Sequence, residues 1–367
     1  MPSERVFNFG AGPGTLPLPV LQQAQRELVS IAGVGASPLE VSHRGGWFRD
    51  VIGRAEADIR TLLGVPASHH IVFCQGGATM QFAMVAMNLG RGGTPDHVVT
   101  GSWGTKALAE AERLWTARVA WTGAADGFRR VPTVEELTDA LSPDAPYVHV
   151  TTNETIQGVA FPHTPVVPDG VRLVGDASSD FLSRPVDVAR YSILYAGAQK
   201  NAGPAGVTVA IVADEVVRDA PDRLPTMLDY RTYVEHGSLY NTPPVFPIYI
   251  VGLVARWLLD DVGGLDAMLE RNRAKAAAVY AVLDSSPVFF GGHADEGSRS
   301  LMNVTFRLPN EELEARFVEE AAVGGMIELK GHRSVGGIRA SLYNAMPLEG
   351  ARALAAFMRE FRDRHAG

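Results

Sequence analysis

At 367 residues and 46% hydrophobic content, the chain exceeds the roughly 250 to 300 residues that one growing core supports, so two domains are expected. Charged residues make up 20% and the formal net charge is −8 with no long run of one sign, which excludes a nucleic-acid-binding surface and points to a soluble acidic protein. Cys74 is the only cysteine, so neither an intramolecular disulfide nor a multi-cysteine metal site is possible, and no metal is expected.

The segment Phe7-Asn8-Phe9-Gly10-Ala11-Gly12-Pro13-Gly14-Thr15 offers the Gly-x-Gly opening of a dinucleotide fingerprint. Thr15 occupies the third glycine position, no convincing strand precedes it, and Pro13, Pro17 and Pro19 punctuate the segment, so that reading is set aside. Asn8 and Gly10 stand where a signal peptide needs its apolar stretch, and the apolar run 245–255 is interrupted by Pro247 and stops at Arg256. The expectation is a cytoplasmic protein without membrane contact.

A helix is expected over 19–31, with Val20, Leu21, Ala24, Leu28 and Ile31 on one side. Ser42, His43 and Arg44 then form a loop before a second helix whose Phe48, Val51, Ile52, Ala55, Ile59, Leu62 and Leu63 keep a period near 3.6. Arg44 can face an anion there or simply lie on the surface. Residues 71–74 read as a buried strand, and Gln75-Gly76-Gly77-Ala78-Thr79 turns it into a helix. Exposed amides at that helix start, with the Thr79 hydroxyl, suit a phosphate; a plain strand-to-helix turn has the same look. Trp103 falls at the end of another strand, before a helix over 105–115, where it can stack on a planar ring or fill the core. After the strand 146–151 come Asn153, Glu154 and Thr155, and Thr155 can hydrogen-bond a ring substituent or a phosphate.

The decisive stretch runs over 171–204. Val171, Leu173 and Val174 lead to Asp176 at the carboxyl end of a buried strand, the edge where ligands bind in open α/β sheets. A second strand over 193–196 leads to Gly197, Ala198, Gln199 and Lys200, and a third over 207–212 follows Gly203 and Pro204. A lysine on a small-residue hairpin beside an aspartate suits a Schiff base with an aldehyde cofactor whose pyridine nitrogen the aspartate keeps protonated, which describes pyridoxal phosphate. Either residue alone reads as easily as a surface charge.

Beyond this, residues 237–244, Asn241 among them, form an extended loop in which Pro243 and Pro244 bar helix at Thr242 and Pro243. Helices follow over 246–259 and 265–283, then strands over 302–306 and 338–342 with helices at 310–323 and 347–364. The loop 330–337 concentrates Lys330, His332 and Arg333, with Arg339 just after it. The reading is an α/β fold with a mostly parallel central sheet flanked by helices over 17–258, and a smaller α+β domain over 259–367 on which residues 1–16 pack.

Seven stretches together carry a resemblance: FNFGAGPGTLP, EVSHRGG, FCQGGATMQF, TTNETIQG, DASSDFLSRPVDVARYSILYAGAQKNAGPAG, LYNTPP and KGHRSVGGIRASLYNAMPLEG. From Phe7 to His365 the chain resembles the phosphoserine aminotransferase family of fold-type I, class V aminotransferases. The resemblance implies that Lys200 carries pyridoxal 5'-phosphate, Asp176 pairs with its ring nitrogen and Trp103 stacks on the ring. It implies that Ala78, Thr79, Thr155 and Gln199 complete the cofactor site, with Asn241 and Thr242 reaching it across a homodimer whose active sites are shared. His43, Arg44, His332, Arg333 and Arg339 would bind substrate anions. The implied reaction moves an amino group from L-glutamate to 3-phosphohydroxypyruvate; some relatives also take a phosphorylated four-carbon oxo acid for vitamin B6 synthesis. Thr79, and Gly46-Trp47 after Arg44, depart from residues frequent in relatives, which bears on substrate preference. An alanine-glyoxylate-type aminotransferase shares the cofactor apparatus without needing a phosphate site, and a noncatalytic protein on the same fold would not need Lys200. A cysteine desulfurase is excluded, because no cysteine follows Cys74.

Overall fold

The computed structural model describes residues 5–90 and 92–366, so the first four residues of the 1–16 segment and the last residue of 259–367 lie outside the described residues. Its centre is a seven-stranded sheet of β1 (His69–Cys74), β2 (Asp96–Val99), β3 (Arg118–Thr122), β4 (Tyr147–Thr151), β5 (Arg172–Asp176), β6 (Ile193–Gly197) and β7 (Thr208–Ala213). The spatial order is β1-β7-β6-β5-β4-β2-β3, and β7 alone runs against its neighbours. Every residue of β4, β6 and β7 is buried, as expected of strands covered on both faces.

Helices supply the cover. On one face α1 (Leu18–Glu27) and α2 (Gly46–Leu63) pack with the helix Val245–Trp257; a methyl group at Gly252 would come 3.2 Å from Ala55 Cβ, so glycine sets how closely the last two approach. On the other face α3 (Gly77–Leu89) and α4 (Ser102–Ala111) bury Phe82, Met84, Val85 and Ala107 against Tyr147 and Tyr195. Because six strands point one way, the turns after β1, β2, β4, β5 and β6 open on a single edge of the sheet.

A three-stranded antiparallel sheet of Gly291–Gly292, Asn303–Arg307 and Ile338–Ser341 organises a second core. The helices Glu311–Val323 and Leu348–His365 pack there, and Phe7–Asn8 pairs with Met326–Ile327 while Phe9 is fully buried among Val304, Ile338 and Leu342. The helix Leu265–Ser285 spans both cores, with Leu265 and Met268 in the large one and Ala276, Val279 and Leu283 in the small one. No helix of the described residues is long and apolar enough to cross a membrane.

Two helices depart from their periodicity. α1 stops at Glu27 rather than reaching residue 31, because Gly33 and Gly35, both at φ +78°, fold the chain back so that the amides of Val34 and Gly35 bond to Ile31 O and keep Ile31 buried without helix. α4 starts three residues before the expected 105 and ends at Ala111. Its start is fixed by a side chain distant in sequence, Glu154, which accepts from the amides of Trp103 and Gly104 at 2.9 and 2.8 Å. Trp103 therefore lies within the first turn of the helix rather than ahead of it.

Candidate active site

Five sheet-edge turns meet at one place. Asp176 ends β5 and is 3% exposed, its Oδ1 accepting from Ser178 N at 2.9 Å. Lys200 follows β6 on the hairpin closed by Ala198 N to Val207 O and Gly203 N to Ala198 O. Its Nζ donates to Thr155 Oγ1 at 2.7 Å and lies 5.2 Å from the centroid of the Trp103 ring. The hairpin is pressed from outside by the N-terminal segment, where Gly14 N bonds to Gln199 O and a methyl group at Gly14 would meet Tyr343 at 2.7 Å. From the small sheet's side Asn344 N bonds to Asn201 Oδ1 at 2.9 Å, which ties the residue next to Lys200 to the segment after Ile338–Ser341.

Burial governs the electrostatics here. It pushes the Lys200 amine down to about 8, opposed chiefly by the charges of Asp176 and Glu154. Burial likewise raises the Asp176 carboxyl, opposed by Lys200, and raises Glu154 to about 7 against its two helix amides. An amine with a proton it can release thus stands beside a buried carboxyl whose charged form the Lys200 cation favours.

A cofactor with an aldehyde, a ring nitrogen and a phosphate needs an amine, a carboxylate, a flat face and an anion cradle. Lys200, Asp176 and the Trp103 indole, whose Nε1 is buried without a hydrogen-bond partner, supply the first three. For the fourth, the two helices at this edge differ. The first amides of α4 are taken by Glu154, while α3 starts from Gly76 at φ +87° with no side-chain cap, and open space lies where a Gly77 side chain would be. Ala78 is half-buried and Thr79 exposed at that uncapped end, so amides, dipole and hydroxyl are free for a phosphate. The residues present fit pyridoxal phosphate.

The loop 330–337 brings cations to the same region. His332 Nδ1 lies 2.7 Å from Ser334 Oγ, and the ring's protonated form is disfavoured by burial, then by Arg339, Lys106 and Arg333. Arg339 is partly buried, and burial lowers its ordinary value. Arg307 and Glu314 brace the loop from behind, Arg307 Nη2 on Val335 O at 2.6 Å and Gly337 N on Glu314 Oε2 at 3.1 Å. A cavity of about 700 Å³ lies between this loop and Glu311–Val323, and it is lined by none of Lys200, Asp176 and Trp103.

Four residues named in the sequence stay apart from Lys200 within one chain. Arg44 is exposed, its amide bonding only to Ser42 Oγ, and His43 Nε2 is buried without a partner. Thr242 is exposed and offers its carbonyl to Gln75 Nε2 at 2.8 Å, beside half-buried Asn241, so this loop borders the α3 cradle rather than the amine. Glu154 carried no role in the sequence reading. Its signal was faint, an acid directly before Thr155 in a loop after a buried strand, and its partners lie about fifty residues away.

The class-V aminotransferase family model matches residues 6–354. Among curated proteins, the phosphoserine aminotransferase of Laribacter hongkongensis is 51% identical over 98% of this chain and 99% of its own. Among solved structures, the phosphoserine aminotransferase from Bacillus circulans subsp. alkalophilus superposes with a TM-score of 0.96 at 48% identity, covering all of both chains. A pyridoxal-phosphate-bound phosphoserine aminotransferase from Trichomonas vaginalis gives 0.91 at 37% identity, over 97% of this chain and 100% of its own.

Proposed function

The chain belongs to the phosphoserine aminotransferase family of class-V aminotransferases, and from that premise we propose how its own residues carry the reaction. It is a pyridoxal-phosphate-dependent transaminase that moves the amino group of L-glutamate to 3-phosphohydroxypyruvate, giving 2-oxoglutarate and O-phospho-L-serine. The bound cofactor supplies an aldehyde to hold the amino group in transit and a protonated ring to draw electrons from the substrate's α-carbon.

Each step otherwise rests on side chains. Lys200 Nζ would hold the cofactor at its aldehyde carbon, and the same amine would take and return the proton of the substrate's α-carbon. Its value of about 8, set by burial, leaves it able to do both near neutrality. Asp176 keeps the ring nitrogen protonated by charge, and the seal around it makes that charge count. Thr155 orients the amine, Trp103 offers its face to the ring, Gln199 closes the hairpin side, and the α3 amides with Ala78 and Thr79 hold the phosphate. Arg339 takes the α-carboxylate, and His332 with Arg333 takes the distal anion.

A homodimer with shared sites completes the reading. His43 and Arg44 from one copy would reach the other's substrate, as Asn241 and Thr242 would reach its cofactor phosphate. Supporting it, Val29 and Leu39, in the segment that leads to His43 and Arg44, are 84% and 65% exposed. Residues 17–258 act as the cofactor-holding unit and 259–367, with 1–16, as the unit bearing the substrate loop.

The observation that carries the proposal is the Lys200 amine set between the Thr155 hydroxyl, the Trp103 face and the buried Asp176. The test compares amino donors: O-phospho-L-serine and L-glutamate should each convert the cofactor's absorption band, while L-alanine should not. Conversion by alanine with none by phosphoserine would replace this reading with an alanine-glyoxylate type.

A further inference from the structure

Lys106 is the fifth residue of α4, three residues after Trp103, and its Nζ lies 4.2 Å from the centroid of the Trp103 ring. The first turn is the positive end of the helix dipole, α4 has no acidic residue there, and the carboxylate that does reach this end, Glu154, is spent on the amides of Trp103 and Gly104. The acid one turn further on, Glu110, pairs with Arg113 at 3.3 Å and leaves Lys106 without a carboxylate among the described residues. The charges that bear on the His332 ring are those of Arg339, Lys106 and Arg333. In a protein of net charge −8, Lys106, Arg333 and Arg339 all bear on His332 with no acid among the charges that do, and the arrangement calls for an anion.

We propose that Lys106 is the α4 side of the distal anion site, taking one phosphate oxygen of the phosphorylated substrate while His332 and Arg333 hold the others, and so favours phosphate over the γ-carboxylate of glutamate. This rests on the transaminase reading above. A carboxylate offers two oxygens that one guanidinium fork satisfies, whereas a phosphate near neutrality carries close to two charges on three oxygens and uses a further cation. An ammonium on a flexible stem suits that duty, because its three donors turn freely and its charge is compact. The Trp103 face is its resting place when no anion is bound, since the ring attracts the cation.

The test uses the cofactor-loaded enzyme and the variants Lys106→Ala and Lys106→Arg. Half-saturation is measured for O-phospho-L-serine and L-glutamate in their separate half-reactions, and inorganic phosphate is titrated by calorimetry. Lys106→Ala should raise the phosphoserine value and the phosphate Kd by about tenfold each, a charged hydrogen bond's effect, and move glutamate by less than about threefold. Lys106→Arg should recover most of the loss. Equal losses for both substrates with an altered cofactor absorption band would show that Lys106 acts through Trp103, and an unchanged phosphate Kd would equally overturn the proposal. A parent enzyme inert toward phosphoserine would sink the transaminase reading instead, while the phosphate titration would still decide the role of Lys106.

Discussion

Among single residues, the two arginines at and just after the loop 330–337 would, on the proposed reading, divide the work by charge. Arg339 is partly buried and has no carboxylate partner among the described residues, which suits the α-carboxylate that every amino-acid substrate carries. Arg333 is exposed on the loop beside His332, where the substrates differ. Arg333→Ala should therefore lower the specificity constant for 3-phosphohydroxypyruvate more than that for glutamate, by about 1.5 to 3 kcal/mol, the worth of a charged hydrogen bond. Arg339→Ala should impair both. Half-reaction kinetics on each substrate check this, and equal losses in Arg333→Ala would remove phosphate discrimination from that residue.

Among elements, the joint between α4 and the loop after β4 decides where the tryptophan face sits. Glu154 closes it by accepting two helix amides, and Gln157 adds a bond from Nε2 to Ser102 Oγ at 2.8 Å. Glu154→Ala would leave two amides unsatisfied and cost about 1 to 3 kcal/mol of stability, with a shifted cofactor absorption band because Trp103 is no longer held. Urea unfolding together with the absorption spectrum reads both, and a stable variant with an unchanged spectrum would return Glu154 to an ordinary loop acid. On the neighbouring strands, His97 of β2 and His149 of β4 stack at 5.3 Å inside the core, with both His97 ring nitrogens unpartnered. Burial depresses His97 to about 3 and lowers His149, so the unfolded chain binds protons that the fold refuses once the pH drops below about 6.5. Stability is whole above that value and falls on acidification, by about 2 kcal/mol for His97 alone at about pH 5. Denaturation curves at neutral and acid pH should show a slope that His97→Leu reduces; identical slopes would mean that His97 is not the proton acceptor. These elements also mark how far the sequence could be read. Asp176 was legible because it closes a buried strand, Lys200 because it stands on the small-residue hairpin after the next one, and the cations of 330–337 because they cluster in an acidic protein. Glu154 and the start of α4 were not, since the cap crosses some fifty residues and leaves no local pattern. The early stop of α1 was hidden for another reason: Ile31 is buried as periodicity demands, but by a glycine turn rather than by helix.

For the whole molecule, the account requires two copies. His43-Arg44 and Asn241-Thr242 make no bond to Lys200, Asp176 or Trp103 within the described chain, although the resemblance pointed to them through dimer contacts, which one chain cannot bring together. Mixed dimers of Lys200→Ala and Arg44→Ala subunits should regain activity, because one of their two sites then has both residues intact. Mixed dimers that form yet stay inactive would withdraw Arg44 from the neighbouring site. Beneath all of this stands the claim that the amine on the β6–β7 hairpin carries transamination, and formation of O-phospho-L-serine from L-glutamate and 3-phosphohydroxypyruvate by Lys200→Ala tests it most directly. With the fold retained, since alanine adds no bulk to the hairpin, the account predicts a rate lower by at least the roughly 10²- to 10⁴-fold that positioned proton transfer supplies. A folded Lys200→Ala protein turning over at the parent rate would contradict it.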